Sequence, residues 1–379
     1  MMDSVKFLHC ADLHLDAPLT GLPDHLVQLR QEELRENFGR IVDLARKENV
    51  QIIMISGDLF DRESVKKTTI DYIIKKIEEI KWIPVLICTG NHDSLLRNYY
   101  YQMSNLPENL YLFDRTISRI DFPDKNLCIY GISFYEPLQE KNLLKGFVVD
   151  DENKINIMMM HGEVVTSGGK SIYNPITLSD IEKSKLDYIA LGHVHSFSGL
   201  NKAGKVYWCY PGTPEGNGFD ESGVKGVVIG SISKGYTHIE FRPTGKREYI
   251  VKEVDISGAC TYEEITKKIK DNFEEKSENN FYKIILKGDI PEDFGISSEV
   301  IRSKLEEDTY FLKVINETTY DIDINKILVD DTLKNVFINN IIYNIKDSSR
   351  EEEIKLLKRS LKIGICALNG ERIEFDENF

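Results

Sequence analysis

Short apolar runs, each closed by a cluster of polar residues, set the rhythm of the first half of this chain. Val5 to Cys10 is apolar except at Lys6 and His9 and stops at Ala-Asp-Leu-His. Gln51 to Ile55 and Pro84 to Cys88 repeat the pattern and stop at Ser-Gly-Asp and Thr-Gly-Asn-His. Such runs read as strands buried on both faces. Between them, Leu26 to Lys47 and Val65 to Ile80 carry apolar residues at helical spacing. The alternation predicts an α/β arrangement with polar chemistry just beyond the carboxyl ends of the strands.

From about Leu110 the runs shorten and turns separate them. Leu127 to Ile132, Ile155 to Met160, Tyr188 to Leu191, Val206 to Tyr210, Lys225 to Ile229 and Thr237 to Phe241 are the candidate strands. A two-sheet sandwich flanked by helices is the expected result. Pro243 and Gly245 close the last strand of this group and mark a boundary. Beyond it, strands at Tyr249 to Val254, Tyr282 to Leu286 and Tyr310 to Ile315 alternate with helices at Tyr262 to Lys276 and Ser298 to Glu307. This predicts a small α+β unit over 246–330. Helices at Leu333 to Ile345 and Arg350 to Ile363 then fill 331–379. Neither repeats nor low-complexity segments interrupt the pattern.

Composition narrows the class. With 379 residues, 41% of them hydrophobic, the chain can build one large core and a smaller one, which excludes a disordered protein. No signal-peptide pattern opens it, and no apolar stretch approaches the roughly 20 residues of a membrane span. The six cysteines are scattered without a Cys-x-x-Cys pair, as expected of free thiols in a reducing cytoplasm. A formal charge of −14, negative on both sides of Gly245, argues against tight, independent DNA binding through a basic face.

Five segments hold nearly all the polar residues placed as if for chemistry: Asp12 and His14; Asp58; Asn91, His92 and Asp93; His161; and His193 with His195. Asp12 and His14 lie two apart in what reads as an extended segment, so their side chains share a face, and His193 and His195 repeat the arrangement. Imidazole mixed with carboxylate suits manganese, iron or zinc better than calcium or magnesium. A bridging carboxylate can hold two such ions roughly 3.5–4 Å apart, where they clamp a phosphate and activate a water. Gly57, Gly90 and Gly192 precede ligands where a loop must turn close to the site. Singly, each piece has an ordinary reading: a Gly-Asp turn, a packed histidine, an Asn-rich loop. Five in this order, each ending an apolar strand, point to a metal site.

The series D-x-H, G-D-x-x-D, G-N-H-D, a lone H and G-H-x-H resembles the calcineurin-like metallophosphoesterase superfamily over about the first 245 residues. The resemblance implies a two-sheet α/β core (an α+β sandwich), with the small C-terminal α+β unit as a cap and the terminal helices beyond it. It implies one ion on Asp12, His14, Asp58 and His195, and a second on Asp58, Asn91, His161 and His193, with Asp58 bridging. A water between the ions would attack phosphorus in line. His92 would act as general acid or stabilise the transition state, with Asp93 orienting its ring. Asp-Leu-His-Leu-Asp-Ala-Pro, Gly-Asp-Leu-Phe-Asp and the segment 210–221, followed by Lys225-Gly226, resemble the SbcD-like DNA repair exonucleases. That branch implies 3′-to-5′ cutting of DNA with manganese, an SbcC-like coiled-coil ATPase partner and a homodimer.

Other residues carry weaker expectations. Ile354, Leu357 and Leu361, flanked by Lys355, Lys358, Arg359 and Lys362, form a stripe that suits a docking partner or packing on its own domain. The helix Leu26 to Lys47 could serve a dimer or cover its own sheet. Tyr99, Tyr100 and Tyr101 could stack on bases, worth about 1–3 kcal/mol each, but packing is expected for at least one. Gly168-Gly169-Lys170 reads as a solvated turn, Met158 to Met160 as a core strand, and His9, His25 and His238 as structural or surface residues. Asp16 and Asp61 are expected to shape loops. Three functions compete: a DNA nuclease, a phosphodiesterase or phosphatase for small molecules, and a non-catalytic scaffold. The complete ligand set disfavours the scaffold, and the roughly 135 residues beyond the core disfavour a minimal small-molecule enzyme.

Overall fold

Phe7 and Leu8 explain why the opening strand is apolar at consecutive positions: they enter different layers. The computed structural model describes residues 4–61, 65–97, 100, 106–166, 168–291, 294–321 and 332–370. The chain divides into two compact units, Met1–Glu248 and Tyr249–Phe379.

In chain order the first unit contains β1 (Val5–Cys10), α1 (Asp24–Lys47), β2 (Ile52–Ser56), α2 (Lys67–Glu78), β3 (Val85–Cys88), β4 (Leu110–Leu112), β5 (Ser118–Phe122) and β6 (Leu127–Gly131). It continues with β7 (Ile155–His161), β8 (Glu163–Val165), β9 (Pro175–Thr177), α3 (Leu178–Ser184) and β10 (Tyr188–Gly192). β11 (Asn201–Ala203), β12 (Val206–Cys209), β13 (Gly226–Ser233) and β14 (Tyr236–Pro243) complete it. One six-stranded sheet has the order β14-β13-β1-β2-β3-β4 and the other β11-β12-β10-β7-β6-β5. β1, β2 and β3 are parallel, as are β6, β7 and β10, so their carboxyl ends share one edge of each sheet.

Three apolar layers follow from strand alternation. Phe7, Met54 and Leu86 of the first sheet meet Ile129, Met159 and Tyr188 of the second between the sheets. Leu8, Ile53 and Ile55 point the other way, against Leu34, Phe38 and Ile41 of α1 and Ile70, Ile73 and Ile77 of α2. The apolar face of α1 thus covers its own sheet. Met158 and Met160 face outward with Ile189 and Ile181, so Met158 to Met160 is a core strand shared between two layers. The short elements β4, β5, β8, β9, β11 and α3 carry no clear sequence pattern, because most of their positions are half-buried or exposed.

His9 lies in the middle layer, fully buried. Its Nδ1 is 3.0 Å from the Tyr188 hydroxyl and its Nε2 3.1 Å from the Leu191 carbonyl oxygen. Burial pushes the imidazole down to about 3, so the ring is neutral. Nε2–H then donates to Leu191 and Nδ1 accepts from Tyr188, which links the two sheets. Tyr188→Phe leaves that buried nitrogen unmet and is expected to cost about 1–3 kcal/mol in denaturant unfolding. An unchanged unfolding midpoint would show that the link carries no stability.

The second unit contains β15 (Tyr249–Asp255), α4 (Tyr262–Lys270), β16 (Phe281–Lys287), β17 (Asp289–Pro291), α5 (Ser298–Lys304), β18 (Phe311–Asn316) and β19 (Thr319–Asp321). Helices α6 (Leu333–Asp347) and α7 (Glu351–Asn369) follow. β15, β16 and β18 pair in parallel, and α4 and α5 supply the crossovers that parallel pairing requires. Thr261 and Ser297 cap the two helices by accepting from Glu264 N and Val300 N. α4 ends at Lys270, six residues before the expected end, where Asp271-Asn272 favour a turn. Ile338, Leu361 and Ile365 form the small core of the terminal helix pair, so the end of the Ile354-Leu357-Leu361 stripe packs within its own unit. Lys362 is likewise engaged, donating to Asn316.

Cys10, Cys88, Cys128 and Cys209 are buried free thiols and Cys260 is an exposed one; the Cys366 side chain lies outside the described residues. Among the described residues, no helix is long and apolar enough to cross a membrane.

Candidate metal centre

All five polar segments leave strands whose carboxyl ends meet at one edge of the sandwich. Asp12 and His14 follow β1, Asp58 and Asp61 follow β2, and Asn91 to Asp93 follow β3. His161 is the last residue of β7, while His193 and His195 follow β10. The sheets come together here because Gly192 has no side chain. A Cβ there would collide with the Ser56 carbonyl oxygen across the seam.

The loops are not the extended segments that spacing suggests. Asp12, His14 and Asp58 sit at φ of 55°, 45° and 49°, and His193 at 111°, all on the left-handed side that ordinary residues avoid. Hydrogen bonds between loops hold them there: Asp12 N donates to Gly57 O and His14 N to Asp58 O, both at 3.0 Å. The shared face of Asp12 and His14 therefore comes from turned backbone, not from the pleat of a strand.

The side chains converge. Asp12, His14 and His195 each bring a ligand atom within 4.8 Å of the others, as do Asp12, Asp58 and His161, and His14, Asp61 and His92. Asp58 Oδ2 is 3.4 Å from His161 Nε2 and 4.0 Å from His14 Nε2, which sets it between the two imidazoles. His161 Nε2 is also 3.1 Å from Asn91 Oδ1. His193 packs edge-on to His161 with ring centroids 5.3 Å apart, and its backbone N–H donates to Asp12. Asp12, His14, Asp58, His161 and His195 thus fall in these groups, while Asn91 adjoins them through His161 and His193 through its ring packing and backbone.

The hydrogen bonds around the rings show which nitrogen of each faces the centre. His161 Nδ1 donates to the Ser56 carbonyl at 3.0 Å, so its lone pair is on Nε2, facing Asn91 and Asp58. His14 Nδ1 lies 2.9 Å from an Asp61 oxygen, and His195 Nδ1 bonds Glu221. Their Nε2 atoms then face each other at 3.1 Å. Lone pairs so opposed need positive charge between them, which fits divalent cations held by nitrogen and oxygen. Burial works against a charge on His161, yet Asp58 raises it to about 9. Burial also works against Asp58, but His161, with His14 and His92 behind it, holds that carboxyl well below the usual range. Burial of Asp12 prevails and pushes its carboxyl up. His193 is lowered to about 4 by burial and by His161.

His92 corrects one expectation. Asp93 does not orient its ring. Both Asp93 oxygens are taken up by backbone: Oδ1 accepts from Gly90 N at 2.7 Å, and Oδ2 from Leu59 N at 2.9 Å and Phe60 N at 3.4 Å. Fully buried, Asp93 pins the Gly-Asn-His-Asp loop to the loop after β2. The carboxylate beside His92 is Asp61, whose Oδ1 is 3.2 Å from Nδ1. A hydrogen bond to Asp61 raises the His92 imidazole to about 9. Sequence makes Asp61 a loop residue only; its position closing Gly-Asp-x-x-Asp is the signal that could have found it.

Glu221 also escapes the sequence reading, although it lies in the 210–221 segment noted above for its resemblance. Asp16 does shape a loop, accepting from Lys66 N at 2.9 Å and Thr69 Oγ1 at 3.0 Å. His25 and His238 are exposed, and Gly168 to Lys170 is an exposed turn. Tyr100 is buried, with its hydroxyl bonded to the backbone of Val65, so it packs; Tyr99 and Tyr101 lie outside the described residues.

The sequence pattern of the Calcineurin-like phosphoesterase family matches residues 5–197. The chain is 27% identical over 304 residues to the uncharacterized metallophosphoesterase YhaO of Bacillus subtilis, across 77% of this chain and 74% of that one. The DNA double-strand break repair protein Mre11 of Sulfurisphaera tokodaii is 26% identical over 366 residues, 90% of this chain and 88% of that one. The D component of nuclease SbcCD of Staphylococcus epidermidis is 27% identical over 315 residues, 73% and 78% of the two chains. Since the matched region takes in all five polar segments, from Asp12 to His195, this chain belongs to the calcineurin-like phosphoesterases.

Proposed function

We propose that this phosphoesterase is a two-metal DNA exonuclease, cutting from the 3′ end with manganese. The observation that carries the reading is the set of imidazole, carboxylate and amide atoms converging around Asp58, with Nε2 of His14 and Nε2 of His195 facing each other. Asp12, His14, Asp58 and His195 would hold one ion, and Asp58, Asn91, His161 and His193 the other. Two divalent ions, when bound, supply Lewis-acid polarisation of the phosphate and a nucleophile at neutral pH. The nucleic-acid substrate is favoured by relatives named for DNA repair and for nuclease activity. An SbcC-like coiled-coil ATPase partner belongs to the same reading, and Leu333, Val336, Tyr343 and Leu356, exposed on the terminal helices, offer apolar surface for it.

This chain's own residues do the positioning. Asp61 takes Nδ1 of His92, which leaves Nε2 to face the substrate and pass a proton to the departing oxygen. Asp93 fixes the loop that carries His92. His92→Ala is expected to retain its metal while losing turnover by about 10²–10⁴-fold, the usual contribution of a general acid. Metal content by elemental analysis together with single-turnover cleavage would check both halves. Near-full activity in that variant would remove His92 from the reaction.

A small phosphodiester is the second reading, favoured by the formal charge of −14, which opposes binding of a polyanion. The deciding experiment is manganese-dependent cleavage of an end-labelled duplex, with bis(p-nitrophenyl) phosphate alongside. DNA cut from the 3′ end supports the nuclease. DNA left intact in the presence and absence of an ATPase partner, while the small ester is hydrolysed, rejects it.

A further inference from the structure

We propose that the segment from Tyr210 to Lys225 is a cradle for His195, with Glu221 as the residue that positions its ring. The inference deepens the reading above, since it takes His195 as a metal ligand.

Three contacts from this segment reach His195. Glu221 Oε1 bonds Nδ1 of the ring. Thr213 N and Lys225 Nζ both donate to the His195 carbonyl oxygen, each at 3.2 Å. Gly212, at φ 77°, lets the segment pass this close: a Cβ there would sit 2.9 Å from Phe197 N and 3.0 Å from His195 O. Ring and backbone are thus held from the same side. A carboxylate on Nδ1 fixes the tautomer, stops rotation about χ2 and makes Nε2 more basic. Nε2 is the atom that faces His14 Nε2 at 3.1 Å.

The cradle is itself anchored. Glu221 is almost fully buried, and its second oxygen accepts from Asn217 N at 2.8 Å. Arg30 of α1, fully buried, donates to Glu215 Oε1 at 3.1 Å and to Gly216 O at 2.8 Å. Asn37 donates to Pro214 O at 3.2 Å and to Glu215 Oε2 at 3.1 Å, where Arg40 also donates at 3.2 Å. Burying Glu221 and Glu215 is costly unless each carboxylate is met in a fixed place. That requirement gives the segment one conformation, and so gives His195 one orientation.

The test is Mn²⁺ binding to the full-length protein, followed by loss of the free-ion electron paramagnetic resonance signal. Glu221→Gln keeps the shape but not the charge, and His195→Ala reports the ligand itself. In Glu221→Gln one ion is expected to bind about 10–100-fold more weakly while the other changes little. Hydrolysis of bis(p-nitrophenyl) phosphate by this variant should then recover as Mn²⁺ is raised, with the turnover at saturation near that of the wild type. Lys225→Met, which removes only a donor to the His195 backbone, should weaken the same ion by a smaller factor. It serves in place of Glu221→Gln should circular dichroism show that variant unfolded. Wild-type affinity in Glu221→Gln and Lys225→Met alongside a loss in His195→Ala would overturn the positioning role and leave the ligand standing. Wild-type affinity in all three would remove His195 as a ligand, and the inference with it. No DNA enters the binding measurement, so a failed nuclease assay leaves the Mn²⁺ affinities and their meaning intact.

Discussion

Asp58→Ala is expected to abolish phosphodiester hydrolysis, with a loss of at least ~10⁴-fold. The magnitude follows from position. Asp58 Oδ2 stands between His161 and His14, the imidazoles assigned to different ions. Each ion supplies several kcal/mol of transition-state stabilisation, and about 1.4 kcal/mol is a factor of ten in rate. A residue that serves both ions therefore costs more than any ligand that serves one. Asp58 Oδ1 also accepts from the backbone N–H of His92 at 2.9 Å, so its loss unsettles the loop that carries His92 too. Titration should show both Mn²⁺ sites weakened, in contrast to the single site affected by His195→Ala. Retained binding of both ions would show that Asp58 does not bridge.

The largest effect on stability is expected at Glu215, in the segment that backs His195. Its carboxylate accepts from Arg30, Asn37, Arg40 and the backbone N–H groups of Lys246 and Arg247. Glu33 shares Arg30 with it: burial works against the Glu33 charge, but Arg247, Arg30 and Lys246 bring it down to about 2. Glu215→Ala takes from the fully buried Arg30 a carboxylate that meets it, and removes the acceptor that Asn37, Arg40 and two backbone N–H groups share. Breaking a buried ion pair by removing one partner costs about 3–5 kcal/mol. Arg30→Met should cost less, since Glu215 keeps four other donors and Glu33 keeps Arg247 and Lys246. Denaturant unfolding of the two variants would measure the difference. A cost for Arg30→Met equal to or above that of Glu215→Ala would show that Arg30, not the carboxylate, is the centre of the cluster.

How much of this was legible in the sequence depended on how local the cause was. Strands buried on both faces declare themselves residue by residue, and β1 falls on Val5–Cys10 as its apolar run requires. Strands of three residues at a sheet edge have half their positions in water and give no such pattern. The residues of the polar cluster were legible because each segment follows an apolar run. Their backbone was not, since nothing in the identity of Asp12, His14 or Asp58 announces a left-handed turn. The partners of the rings were hidden for a different reason. Asp93, next in sequence to His92, was the obvious orienter, but the tertiary fold turns it under the loop and brings Asp61 from another strand. Glu221 lies 26 residues from the ring it bonds, a distance at which pattern says nothing.

The left-handed conformations at Asp12, His14 and Asp58 bear on how this protein should be engineered. Strain of this kind costs of order 1–3 kcal/mol per residue, and glycine would occupy the same backbone more cheaply. At all three positions the chain carries a side chain instead. A library selected only for heat resistance would therefore drift toward glycine there and discard the chemistry first. Stability and function pull in opposite directions at these three residues. They are the ones to hold constant while the rest of the sandwich is optimised.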